Sequence, residues 1–122
     1  MSTVSGWLFD AQSNNLRVVR FPYTVEEICR LLECVGAEFQ RFETPEGEYR
    51  IWSNESPFEQ ALYNESAQAI LGRIPFPWKT FHGNFLVTYM VHPGQPQSMP
   101  IITVTQFVDA CTLAFEKKNC AP

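Results

Sequence analysis

Four polar residues in the middle of the chain have side chains that could carry chemistry. Asn54 and Glu55 follow a predicted strand, where a carboxylate could act as a general base or as a ligand. His82 carries an imidazole, which can act as an acid, a base or a metal ligand, and Asn64 could hydrogen-bond a polar ligand. One hypothesis is therefore a small-ligand-binding domain or small enzyme, with a polar site around Glu55 and His82.

Two of these residues also fit ordinary structural roles. Asn54 stands three residues before Pro57, which is typical of a turn in which the amide folds onto the backbone. Asn64 precedes a short apolar helical pattern and is typical of a helix N-cap. We predict a turn at Asn54 and a cap at Asn64, and we assign no catalytic residue.

The sequence contains no pattern typical of a metal or cofactor site. His82 and His92 flank one predicted strand, and ten positions of extended chain would hold them about 30 Å apart. The four cysteines form no CxxC pair, have no histidine at zinc-finger spacing, and do not indicate a disulfide framework. The six glycines are isolated, which argues against a phosphate-binding loop. We predict no metal ion and no cofactor, and the motifs on balance argue against an enzyme.

The most suggestive surface is a proline-rich aromatic segment. Phe76 and Trp78 alternate with prolines, and Phe81 follows closely. Aromatic rings held by prolines offer rigid contact area that loses little entropy on binding. The alternative is that these rings fold over one end of the core. We predict that the segment docks a protein partner, without catalysis.

Charge gives little support to nucleic-acid binding, which is the third hypothesis. The chain has 13 acidic and 9 basic residues, for a net charge of -4. Four arginines could gather on one sheet surface, but three glutamates interleave with them, which favours a solvated, salt-bridged face. The residues concerned are Arg17, Arg20, Arg41, Arg50, Glu38, Glu43 and Glu48.

Length and hydropathy predict one domain over residues 1–122. The chain is near the usual size of a single domain, and its 45% hydrophobic content is enough for one core. No apolar stretch approaches the roughly 20 residues that cross a bilayer, and the first residues do not resemble a secretory signal. We expect a soluble intracellular protein with no membrane partner, and a homodimer through a strand edge stays open.

The first half of the chain predicts two hairpins and a helix. Residues 4–9 and 16–21 form the first hairpin, and Thr24 with Glu27 form a capping box that starts a helix whose apolar stripe runs to Gly36. The turn at residues 44–47 sets the register of the second hairpin. It pairs Glu43 with Glu48, Phe42 with Tyr49, and Arg41 with Arg50. Phe42, Tyr49 and Ile51 then face the core, and the charged residues face solvent.

The second half predicts a short helix, a central strand and a C-terminal helix. The short helix follows Asn64 and ends at Gly72, and residues 74–78 cannot be a regular helix or a central strand because they contain two prolines. Residues 84–91 are apolar on both alternate sets, as in a strand covered on both faces. Thr103 with Gln106 caps the last helix. The predicted fold class is α+β, a mainly antiparallel sheet of about five strands with two to three helices.

The order of these elements resembles a family of small domains of unknown function found in phages, plasmids and large viruses of algae. The resemblance covers roughly residues 4–91. It depends on the helix at residues 24–32, the strand at 37–41, Asn54-Glu55, Asn64-x-x-Ala67 and the Gly83-led strand, and residues 74–80 depart from it as an insertion. The resemblance implies an uncharacterised accessory protein of phage or viral type and supplies no catalytic or ligand residues.

Overall fold

The most buried strand of the sheet lies at its centre. A computed structural model describes residues 3–56, 61–91 and 94–119. Its strands are β1 (Thr3–Asp10), β2 (Asn15–Pro22), β3 (Ala37–Glu43), β4 (Gly47–Asn54), β5 (Phe85–Val91) and β6 (Gln95–Gln97). Its helices are α1 (Val25–Leu32), α2 (Glu65–Leu71) and α3 (Val104–Asn119). The strand order is β2-β1-β5-β4-β3, with β6 paired to β5, and every pairing is antiparallel. The predicted α+β class is confirmed.

The helices divide between the two faces of this sheet. Helices α2 and α3 cover the front face, where Phe9, Tyr49 and Phe107 belong to a large aromatic core. Helix α1 covers part of the back face, where Ile28 and Leu32 pack with a smaller set of residues. The back-face set also contains Val4, Leu8, Phe21, Trp52 and Leu86. Strand β5 lies between these two cores and is buried over residues 85–90, which confirms the predicted central strand.

Helix α1 begins where the sequence predicts and ends earlier. The Glu27 amide donates to the Thr24 hydroxyl at 3.2 Å, but the Glu27 carboxylate pairs with Arg30 instead of completing the capping box. The predicted termination at Gly36 is wrong. Glu33 takes the left-handed conformation, with φ of 55°, because backbone bonds close the helix there and the Asn84 amide donates both to the Leu31 carbonyl and to Glu33. Residues after Glu33 are therefore not part of the helix or of its apolar face.

The second hairpin has the predicted register, from Ala37 opposite Asn54 to Glu43 opposite Glu48. Phe42, Tyr49 and Ile51 are buried on the front face, as predicted. The prediction that the charged side is solvated is wrong for Glu48, which is only 5% exposed. Its carboxylate accepts hydrogen bonds from Arg50 Nε at 2.6 Å and Arg41 Nη2 at 3.0 Å. Two guanidinium groups replace the water that a lone carboxylate would need.

The remaining caps agree with the sequence. The Asn64 side chain accepts from the Ala67 amide at 2.9 Å and begins α2, and Gly72 ends it. Thr103 and Gln106 form a reciprocal capping box at the start of α3. Among the described residues, no helix is long and apolar enough to span a membrane.

Candidate functional site

A groove of about 1290 Å³ lies between the second half of α3 and the β3–β4 hairpin. We call it the α3–β3 groove. Strand β3 and the hairpin turn form one wall, α3 forms the other, and Phe76 with Tyr49 and Tyr89 contributes to the floor. The wall residues from the hairpin are 39–46, and those from the helix are Ala110, Leu113, Ala114, Phe115, Lys117, Lys118 and Asn119, with Pro100 and Ile102 beside them.

The groove follows the free edge of the sheet. Its lining contains five consecutive residues of β3, from Phe39 to Glu43. Because successive side chains of a strand point to opposite faces, an opening that meets all five must run along the strand edge. Within the described residues, β3 pairs only with β4, so its outer side has no strand beside it.

The register identifies the backbone groups that point into this free edge. The Thr44 amide donates to the Gly47 carbonyl at 2.7 Å, and the Glu55 amide donates to the Gly36 carbonyl at 3.1 Å. Hydrogen-bonded pairs alternate along an antiparallel ladder. The even-numbered residues of β3 therefore bond to β4, and the amides and carbonyls of Phe39, Arg41 and Glu43 point outward.

The interior of the groove is aromatic and uncharged. The ring centroids of Phe42 and Phe76 are 5.8 Å apart, as are those of Phe76 and Phe115. Burial raises the pKa of Tyr49 to about 12, with a further contribution from Tyr89, and burial also raises the pKa of Tyr89. Both phenols stay neutral at physiological pH, so the groove offers apolar surface with hydroxyl groups at its base.

Opposite charges line the two rims. Lys117 and Lys118 are exposed on the helix side, where they also suit the negative end of the α3 dipole. Glu43 and Glu46 are exposed on the hairpin side. A bound segment would thus meet positive charge along the helix rim and, along the hairpin rim, Glu46 beside the ion pair between Arg41 and Glu43.

The three aromatic residues predicted to dock a partner are half-buried and pack on the front-face core. Phe76 lines the groove. The Trp78 ring centroid lies 6.4 Å from that of Phe42. Phe81 packs against Phe85, with ring centroids 5.8 Å apart. Their partner-binding role stays a prediction, and Phe76 is the member placed to contribute to it directly.

The contacts of the four residues of the predicted polar site fall into two groups. The Asn54 side chain accepts from the Ser56 amide at 3.0 Å, which is the predicted turn. The Glu55 carboxylate lies so close to Gly36 that a Cβ atom added to Gly36 would collide with it. Both residues therefore belong to the β3 side of the sheet, beyond the end of α1.

Asn64 and His82 lie in adjacent segments of the chain, which pair between Tyr63 and His82. Asn64 is fully buried, and its amide nitrogen donates to the carbonyls of Phe9 at 3.0 Å and Gly83 at 2.9 Å. With the Ala67 bond, the Asn64 amide is occupied by structural partners. The His82 imidazole hydrogen-bonds the Thr80 hydroxyl and packs on the Tyr63 ring. No hydrogen bond or ion pair joins Glu55 to His82 in the described part of the chain. His92 lies outside the described residues.

The arginines considered for nucleic-acid binding are distributed over both faces and are largely paired with acids. Arg17 pairs with Asp10 at 2.7 Å, and Arg41 and Arg50 share Glu48. Arg20 lies opposite Ser5 on the front face and donates to Thr3. Residues 3–56, 61–91 and 94–119 contain no cluster of three or more possible metal-ligating side chains.

No local pattern in the sequence indicates the groove. Its walls come from residues 39–46 and 110–119, which are about 70 positions apart in the chain. Phe115 and the lysines after it belong to the C-terminal helix, but nothing local in the sequence shows that this helix lies beside β3.

Comparisons with known proteins add no relative to this description. No protein-family model matches the chain, and no curated protein or solved structure matches it. The resemblance to phage, plasmid and viral domains therefore stays a prediction, and functional inference depends on the geometry.

Proposed function

We propose that this protein is a non-catalytic module that binds an extended segment of another protein in the α3–β3 groove. The observation that carries the proposal is the groove itself, which is aromatic inside and runs along an unpaired strand edge. This function is the accessory, protein-binding role that the sequence predicts for a protein of phage or viral type. The main contact is then the α3–β3 groove, which Phe76 lines, and not the aromatic segment as a whole.

An edge strand beside a helix favours an extended partner. A peptide that pairs with β3 would satisfy the outward amides and carbonyls of Phe39, Arg41 and Glu43, in the mode of recognition in which a peptide adds a strand to an exposed sheet edge. These main-chain bonds supply affinity that is independent of the partner's sequence. The groove is thus suited to a strand-forming segment of a protein.

Side chains of the partner would supply specificity. Alternate residues of an added strand point to the same side, so every second side chain would enter the space among Phe42, Phe76 and Phe115. Burial of an aromatic or large aliphatic side chain there would contribute about 1.5–3 kcal/mol. The rims favour a partner with acidic residues toward Lys117 and Lys118.

The test uses a displayed library of random twelve-residue peptides, selected against the folded protein. Selected peptides are then titrated against two groove variants. Leu113→Glu places a charge on the helix wall, where Leu113 is 66% exposed, and Glu43→Pro removes an outward amide from β3. We expect each variant to weaken binding at least about tenfold, which corresponds to 1.4 kcal/mol.

The matched control is Val25→Glu, because Val25 is also helical and is 63% exposed, but lies on α1. We expect unchanged affinity for this variant. Peptides that bind wild type and both groove variants equally would contradict the proposal. Concentration-dependent dimerisation lost in Glu43→Pro would instead identify a second copy of the chain as the occupant of this edge.

A further inference from the structure

We propose that Cys29 and Cys34 form a reactive dithiol, which a small-molecule disulfide such as oxidised glutathione converts to an intrachain disulfide. This modification site is independent of the proposed binding function, because it lies at the end of α1 on the back face of the sheet. The α3–β3 groove lies at the edge and on the front face.

The end of α1 brings the two cysteine residues together. The Cys34 amide donates to the Cys29 carbonyl at 3.0 Å across the left-handed Glu33. This is the long backbone bond of a Schellman motif, in which the side chains at these two positions commonly contact each other. The bond also limits the separation of the two Cα atoms to about 7 Å, close to the upper end of the range that disulfides span.

Both thiols are accessible to a small reagent. Cys29 and Cys34 are half-buried, whereas Cys111 is fully buried in the front-face core. The Cys29 thiol points past the helix end and donates to the Val35 carbonyl at 3.7 Å. Cys29 therefore faces the same short segment that carries Cys34.

The order of attack follows from the surroundings of the two thiols. Burial, together with the adjacent Cys29 and with Glu55, raises the pKa of Cys34 to about 11. Cys34 is thus a weak first nucleophile, because the thiolate is the attacking species. Burial also raises the pKa of Cys111, which keeps that thiol unreactive.

The reaction consists of two thiol–disulfide exchanges. The Cys29 thiolate attacks one sulfur of oxidised glutathione, forming a mixed disulfide and releasing one glutathione thiolate. The Cys34 thiolate then attacks the Cys29 sulfur, forming the intrachain bond and releasing the second glutathione. Two electrons pass from the cysteine pair to glutathione, and the two cysteine protons end on the released thiols.

The test treats the full chain, with Cys120→Ser to remove one competing thiol, with oxidised glutathione and follows its intact mass. We expect a loss of about 2 Da and a peptide map that links Cys29 to Cys34. Adding Cys34→Ser should trap a glutathione adduct of about 305 Da at Cys29. Adding Cys29→Ser should give the adduct at Cys34 at least about tenfold more slowly, because Cys34 is the weaker nucleophile.

A further substitution, Cys111→Ser, serves as the control and should leave the 2 Da loss unchanged. Circular dichroism of the oxidised protein checks that the fold persists. The proposal is overturned if the folded protein keeps its mass, if only stable glutathione adducts accumulate, or if the linked peptides contain Cys111.

Discussion

The two faces of the sheet are stabilised in different ways. On the front face, α2 and α3 bury a continuous aromatic core in which the Phe107 ring contacts Trp7 and Tyr49 edge to face, with centroids 5.1 and 5.2 Å apart. On the back face, α1 covers only one part, and the rest carries Glu48 between Arg41 and Arg50. The front face therefore depends on apolar burial, and the back face depends partly on satisfied polar groups.

This difference explains why the charges on β3 and β4 are not simply a solvated surface. Arg50 extends over the Phe39 ring, with its guanidinium carbon 4.4 Å from the ring centroid. The same arginine donates to Glu48, so its side chain covers apolar surface while its head group neutralises a buried carboxylate. This charged network covers part of the back face that α1 leaves uncovered.

The largest expected effect comes from the front face. Phe107→Ala removes a fully buried ring, and we expect a loss of about 4 kcal/mol in the free energy of unfolding, measured by urea denaturation. Leu113→Ala in the same helix, where the side chain is exposed, should change it by less than about 0.5 kcal/mol. Equal losses in the two variants would mean that α3 contributes helix propensity rather than core packing.

An intermediate effect should come from the back-face charges. Glu48→Gln removes the ion pairs while keeping the shape, and we expect a loss of about 2 kcal/mol at neutral pH. The exposed Glu46→Gln on the same hairpin is the control and should change stability little.

The pH dependence of the free energy of unfolding tests the contribution of these ion pairs. Burial by itself would raise the pKa of Glu48, but Arg50 and Arg41 outweigh it and hold the pKa below its usual value. A carboxyl with a lower pKa in the folded state stabilises the protein above its unfolded pKa and loses that contribution as pH falls through the folded pKa. The wild type should therefore lose more stability below about pH 4.5 than Glu48→Gln does. Parallel pH curves for the two proteins would contradict this assignment.

The smallest expected effect concerns a single buried hydrogen bond on the back face. Trp52 Nε1 donates to the Thr88 hydroxyl at 2.9 Å, and Thr88 is fully buried. Thr88→Val keeps the shape but leaves the indole donor without its acceptor, so we expect a loss of about 1.5 kcal/mol in chemical denaturation. Thr88→Ser retains the hydroxyl and serves to separate the lost bond from changes in packing.

Local features of the fold could be predicted because local interactions determine them. The turn at residues 44–47 sets the β3–β4 register through a single backbone bond and the Thr44 side chain, so counting residues from it places Phe42 opposite Tyr49. The caps at Thr24 and Asn64 follow in the same way from a side chain and an amide three residues later.

Predictions failed where contacts between side chains, and not the local sequence pattern, decided the outcome. Helix α1 stops at Leu32, where the side-chain amide of Asn84, some 50 positions away, donates to the Leu31 carbonyl and to the Glu33 carboxylate. Glu48 is buried because two arginines on adjacent strand positions satisfy it, which alternation of charge alone does not reveal.

By itself, the sequence determined the two hairpins, the starts of the three helices, the register of the second hairpin, the doubly covered strand β5 and the α+β class. Only the tertiary structure decided the strand order, the contacts that hold Glu55 and His82, and the α3–β3 groove. The physical reason is the distance along the chain over which each interaction acts. Caps, turns and alternation act within a few residues, whereas the groove exists because the core beneath Phe107 holds α3 beside an edge strand about 70 residues earlier in the chain.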